Sequence, residues 1–281
     1  MRLRWFLGWA AILCTLSAGC TQDLQGLRTP RSPASQSLAI RWHEGSTTTY
    51  RWQLTDDTQL DGKGSQSTIA GNSEVAVQSV DADGAALLQI TLKLDPQYVT
   101  TGQSSVFVRN LDVGPRGRII GNPDGSFVEL TDFFTMIPFL PPAGANPGDS
   151  WHETYKVPNP TYEDTRDFAV SARYVRDEGA GFSRAVVIDA HMSASFNDSA
   201  PYDRLYGPPP SGAPAQVEDH LSGTETVDVT YRFDPARQSL SKSIATARFS
   251  QSESFTDATN GSAVGVKHTL TGTQTLTFTR S

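Results

Sequence analysis

From residue 38 onward, apolar and polar side chains alternate in runs that fit extended backbone. Leu88, Ile90, Leu92 and Leu94 alternate with Gln89, Thr91 and Lys93. Val227, Val229, Tyr231 and Phe233 alternate with Asp228, Thr230 and Arg232. Val186, Ile188, Ala190, Met192, Ala194 and Phe196 share one face, and Asp189, His191, Ser193 and Ser195 share the other. A period of two marks strands with one buried face. Turn chemistry separates the runs at Asp81–Gly84, Gly114–Gly117, Asp177–Gly181 and Asp234–Pro235. The pattern predicts about ten to twelve strands. Short turns between long strands predict an antiparallel meander.

The two halves follow one plan. In the first, a strand ending at Val80 meets a turn and a strand through Leu94, then a longer connection, Val106–Val113, a Gly-Pro turn and Arg118-Ile119. In the second, a strand ending at Arg176 meets a turn and a strand through Phe196, then a longer connection, Thr224–Phe233, an Asp-Pro turn and strands from Gln238. The expected fold is mainly β: duplicated antiparallel meander sheets, as a curved sheet or half-barrels, with one short bridging helix. Leu130, Phe133, Phe134 and Ile137 fall at i, i+3, i+4, i+7, which predicts that helix over Glu129–Leu140. Pro138, Pro141 and Pro142 end it. Gly144–Trp151 reads as a turn into the second half. The prolines of Asn197–His220 predict a long loop. The segments are therefore 38–128, a first β repeat; 129–149, helix and turn; and 150–281, a second β repeat.

The N-terminus follows different rules. Arg2 and Arg4 precede an uncharged apolar run, Trp5–Leu16, and small residues lead to Cys20. That is the build of a secretory signal peptide, residues 1–19. Twelve helical residues span roughly 18 Å, short of a ~30 Å hydrocarbon core. Cys14 leaves with the signal, so the mature chain keeps Cys20 alone and forms no internal disulfide. Residues 20–37 hold Pro30, Pro33, Ser and Gln with few large apolar groups, and read as a polar tether. Leu16-Ser17-Ala18-Gly19-Cys20 resembles the bacterial lipobox, with Leu one place earlier than the commonest form. The resemblance implies diacylglyceryl transfer to the Cys20 thiol, cleavage before it and acylation, with palmitate among the acyl groups, of the new amine. It places the protein in the cell envelope, lipid-anchored. In a diderm cell, Thr21 in place of an aspartate points to the outer membrane, on its periplasmic face or at the surface.

Charge narrows the partners. Cleavage leaves 262 residues and moves the net charge from -7 to -9. A mildly acidic chain without a basic cluster has no footprint for nucleic acid or anionic headgroups. A chain of this length buries about 70–75% of its unfolded surface.

Catalytic motifs are not evident. Gly181-Phe182-Ser183-Arg184-Ala185 nearly spells a nucleophile elbow, but a turn precedes it and a strand follows, where an elbow needs strand then helix. His43, His152, His191, His220 and His268 lack zinc-motif spacing. Asp81–Gly84 begins like a calcium loop without its later acids. Asp56-Asp57 and Asn122–Gly125 read as turn chemistry. No cofactor, metal ligand or catalytic residue is expected, and the chain reads as a non-enzyme.

Leu140-Pro141-Pro142 leading to Gly148-Asp149-Ser150-Trp151, with lipobox, tether and duplicated sheet, resembles uncharacterised bacterial lipoprotein domains. More loosely, the pattern is similar to envelope half-barrels of the LolA and LppX type, which cradle lipid between a curved sheet and helices. Two functions follow as expectations. One is a non-catalytic envelope lipoprotein that binds a protein or cell-wall component. The other is a carrier or sensor of a hydrophobic ligand, lined by Phe133, Phe134, Met136, Ile137 and Phe139 against Leu92 and Met192. A continuous apolar cavity favours the carrier, and a filled interior disfavours it.

Overall fold

The computed structural model describes residues 38–99, 104–121, 136–159, 164–180, 184–203, 212–214, 216–265 and 267–281. They form β1 (Thr47–Leu60), β2 (Lys63–Val80), β3 (Ala86–Leu94), β4 (Val106–Val113), β5 (Ile119–Gly121) and β6 (Ser150–Asn159). The rest are β7 (Asp164–Glu178), β8 (Ala185–Pro201), β9 (Val217–Asp234), β10 (Ser239–Asp257) and β11 (His268–Arg280). One single-turn helix, Pro96–Tyr98, precedes β4.

All eleven strands join one antiparallel sheet in the order β5-β4-β3-β2-β1-β11-β10-β9-β8-β7-β6. Both halves therefore belong to one sheet. The first and last strands meet in its middle, where Tyr50 pairs with Arg280 and Leu60 with Leu270. The β5-to-β6 connection runs from one edge to the other.

Alternation along the strands sets the two faces. On the inner face Trp52, Leu88, Leu111, Ile188, Met192, Val229, Tyr231 and Phe278 share one continuous core. The outer face is polar. On β11 it is a column of Thr269, Thr271, Thr273, Thr275, Thr277 and Thr279, a β-branched residue at every solvent-facing position.

The sheet curls. Flat, eleven strands at ~4.8 Å would hold the edges roughly 48 Å apart. Instead Arg116, in the β4–β5 turn, hydrogen-bonds Glu153 of β6 at 2.9 Å. Two devices bend it. Single-residue bulges interrupt β2 between Val77 and Ser79, β7 between Tyr174 and Arg176, and β10 between Leu240 and Lys242. A bulge raises local twist. Glycines also face aromatic rings across the ladder: Trp52 pairs with Gly71, Phe196 with Gly223, and Phe249 with Gly272. A Cβ at Gly71 would sit 2.1 Å from the Lys93 carbonyl oxygen and 2.7 Å from the Trp52 ring. The absent side chain lets the neighbouring ring lie over the strand.

Among the described residues no ladder joins β5 to β6, so the barrel stays open. Two chain segments fill the seam at the end carrying the β4–β5 turn, here the upper end. Leu38 and Ile40 are buried there, and Ile40 N–H donates to the Pro115 carbonyl at 2.7 Å. Residues 136–140 lie beside them, with Leu140 N–H on the Arg116 carbonyl at 3.0 Å.

Three expectations need correction. The loop over Asn197–His220 is shorter, because β8 runs to Pro201 and β9 starts at Val217, with Ser199 paired to His220. Alternate residues of these extensions, Asp198, Ala200, Val217 and Asp219, are buried on the inner face, which anchors the strands despite Pro201. Asp56-Asp57 is not a turn but lies within β1; the turn is Asp61-Gly62, with φ of 51° and 76°. Positive φ at both positions fits a type I′ hairpin. Of the expected bridging helix, residues 129–135 lie outside the described residues. Met136 is helical, and Ile137–Leu140 are irregular. Pro138 lacks an N–H and biases Ile137 away from helical angles.

Candidate functional site

Cys20, Phe133 and Phe134 lie outside the described residues, as do Ser183 and Asn122–Gly125. Met136, Ile137 and Phe139 do come together, buried against the inner face. The Ser73 hydroxyl donates to Met136 Sδ at 3.7 Å. Phe139 stands 6.0 Å from the Trp151 ring, and its backbone N–H donates to the buried Tyr231 hydroxyl oxygen. Met192 and the partly buried Leu92 pack in the same cluster. The space around them is filled: Leu88, Val186, Ile188, Met192, Tyr231 and Phe233 have 0% exposure. Such packing leaves no room for a lipid chain between these six side chains.

The lower part of the interior mixes polar groups with apolar ones. Asp56, Thr58, Asp198, Asp219, Gln251 and Glu253 are buried there. Burial pushes the Asp56 carboxyl above the ordinary carboxylate range, against hydrogen bonds from Gln274 and Thr58.

Among the described residues a concavity lies on the outside. A trough of about 770 Å³ crosses β6 to β10, roughly 19 Å at the usual strand spacing. Two in-register rows of side chains line it. The first runs His152, Ser171, His191, Asp228 and Thr246, one from each strand. The second runs Ser150, Arg173, Asp189, Thr230 and Ile244. Directly opposed residues of an antiparallel pair face the same side at ~5 Å, so each row is a line of adjacent groups.

Hydrogen bonds sort these groups. His191 Nδ1 meets the Asp228 carboxylate at 2.7 Å, and Arg248 donates to its other oxygen at 2.7 Å. The His191 bond, reinforced by Arg248, holds the Asp228 carboxyl below its usual range against some desolvation. Thr230 donates to Asp189 at 2.7 Å. Both carboxylates are thereby engaged, Asp189 by β9 and Asp228 by β8 and β10. Arg173 pairs in register with Asp189, yet among the described residues neither Arg173 nor His152 has an ion-pair partner. Ser171, His191 and Asp228 follow the order of a nucleophile, base and acid. Among the described residues no hydrogen bond joins Ser171 to His191, and the ladder occupies the backbone N–H groups that an oxyanion hole would need.

No protein-family model matches the chain, and no curated protein sequence matches it. Among the described residues no group of three His, Cys, Asp or Glu side chains is placed to hold a metal ion, and no helix is long and apolar enough to cross a membrane.

Alternation alone marks His191 and Asp228 as outward-facing without joining them. Their meeting depends on the β8–β9 register across residues 202–216, which no local pattern encodes.

Proposed function

We propose that the mature chain is a non-catalytic envelope lipoprotein, held by lipid on Cys20, that works as a binding module through the trough on its outer face. The observation that supports this reading is the contrast between the two faces. The upper interior is filled, whereas the outer concavity presents ordered, solvent-exposed polar groups. That contrast weighs for surface recognition over carriage of a hydrophobic ligand.

The anchor fits the same reading. Seventeen residues separate Cys20 from the described domain, a span of at most about 56 Å at ~3.3 Å per residue. Several acyl chains on one residue, at about 0.8 kcal/mol per buried CH₂, hold the domain at the membrane.

The test uses the mature chain carrying Cys20→Ser, so that lipid does not drive sedimentation. The wild-type surface is expected to co-sediment with purified envelope fragments. Ser171→Trp, which fills the trough without adding charge, abolishes this, and Asn72→Trp on the outer face of β2 does not. Equal sedimentation of all three forms refutes the trough as the binding surface. Native mass spectrometry of the lipidated protein gives a second check. A stoichiometric lipid besides the anchor overturns the reading in favour of a carrier.

A further inference from the structure

We infer that the β6–β8 end of the trough is an oxyanion site that recognises a phosphate group. This rests on the trough being the binding surface and names the chemistry it reads.

Four donor-bearing side chains converge there from three adjacent strands. Ser171 of β7 stands between His152 of β6 and His191 of β8 in one row. Arg173 projects from the same strand two residues on, diagonal to both imidazoles. All four are exposed. Nδ1–H of His191 donates to the Asp228 carboxylate, which fixes the ring and leaves Nε2 to accept from a phosphate hydroxyl, or to donate as the imidazolium. The two nearest acids carry bonds of their own: Asp189 accepts from Thr230, and Asp228 is held by His191 and Arg248. On β6 and β7, His152, Ser171 and Arg173 have no such partner among the described residues.

A guanidinium fork matches an oxyanion bidentately. A carboxylate offers two oxygens in one plane. A tetrahedral phosphate offers oxygens in several directions, which suits donors arriving from three strands. The chain's net negative charge supplies no long-range attraction for an anion, so selectivity must come from these local groups.

The test uses the mature chain with Cys20→Ser. Inorganic phosphate, added in chloride buffer and followed by amide NMR shifts, is expected to saturate with shifts centred on residues 152, 171, 173 and 191. Arg173→Ala should weaken binding at least tenfold, and Asn72→Ala should leave it unchanged. Acetate should bind at least tenfold more weakly. Vesicles of phosphatidylcholine with and without phosphatidic acid identify the source. Binding to phosphatidic acid vesicles in excess of free phosphate points to a lipid headgroup, and preference for the soluble ion points to a soluble ester. Two results overturn the assignment: no saturable response to phosphate or phosphatidic acid, or an Arg173→Ala variant that binds as wild type. If phosphate fails while Ser171→Trp still abolishes envelope sedimentation, the oxyanion assignment falls and the binding-module reading stands. If Ser171→Trp sediments as wild type, the module reading falls.

Discussion

Gly71 offers a direct test of how the sheet acquires its curl. Gly71→Ala adds one methyl group on the inner face, 2.1 Å from the Lys93 carbonyl oxygen and 2.7 to 2.8 Å from the Trp52 ring. The ring has limited freedom to rotate away because Trp52 is buried in the core. The carbonyl belongs to the neighbouring β3 backbone, so relief requires the β2–β3 ladder to shift. Overpacking of this kind costs about 1–3 kcal/mol, and the backbone contact argues for the upper part of that range. Removing a glycine from the unfolded chain returns about 0.4–1 kcal/mol. The net expectation is about 2 kcal/mol of destabilisation, or a fall in Tm of about 4–8 °C for a domain of this size. Gly64 is the internal control. It lies on the same strand with nothing within 4 Å of a built Cβ, so Gly64→Ala should leave Tm unchanged or raise it by roughly 1–4 °C. Thermal melts followed by circular dichroism measure both. A Gly71→Ala protein that melts with or above Gly64→Ala would refute close approach as the reason for glycine.

Two further outcomes are expected. Hydrogen bonds from His268 and from the Thr269 N–H hold the Asp61 carboxyl below its usual range. A depressed folded value means a contribution present above the unfolded carboxylate value of about 3.9 and lost as pH falls through the folded one. Asp61→Asn should therefore be less stable than wild type at neutral pH, with the gap closing below about pH 4; urea melts across pH would show a constant gap if the bond were unimportant. The outer rim of β4 is capped by side chains: Ser104 Oγ donates to the Val106 carbonyl at 2.7 Å, and Arg109 to the Val108 carbonyl at 2.9 Å. Freeing these groups with Ser104→Ala and Arg109→Ala should expose a pairing edge and produce concentration-dependent dimers in sedimentation velocity, whereas a monomer at all concentrations would contradict the capping role.

Much of this fold is legible locally. Strand ends at Val80 and Leu94, the whole of β4 and the four hairpin turns follow from alternation and turn residues, because each is decided within a few neighbours. Asp56 is misread because an aspartate pair favours turns, whereas its partner Gln274 appears only when β11 folds against β1. The 197–220 segment is misread because its prolines outweigh Asp198 and Asp219, acids whose burial no periodicity announces. The trough was the least legible part. Period two tells which face His191 occupies but not that Ser171 and Asp228 stand beside it; that requires the register of three long strands at once.

The position of β11 carries a consequence for how the molecule is made. It forms from the last stretch of chain and sits between β10 and β1, so it is the keystone of the arch. Until it arrives, β1–β5 and β6–β10 are separate five-stranded pieces, each with an exposed rim where β11 belongs. Pairings such as Tyr50 with Arg280 span nearly the whole folded region, and such non-local contacts form slowly. A chain built this way completes its sheet only once β11 is available, so the sheet closes late and at its centre rather than growing outward from a finished half.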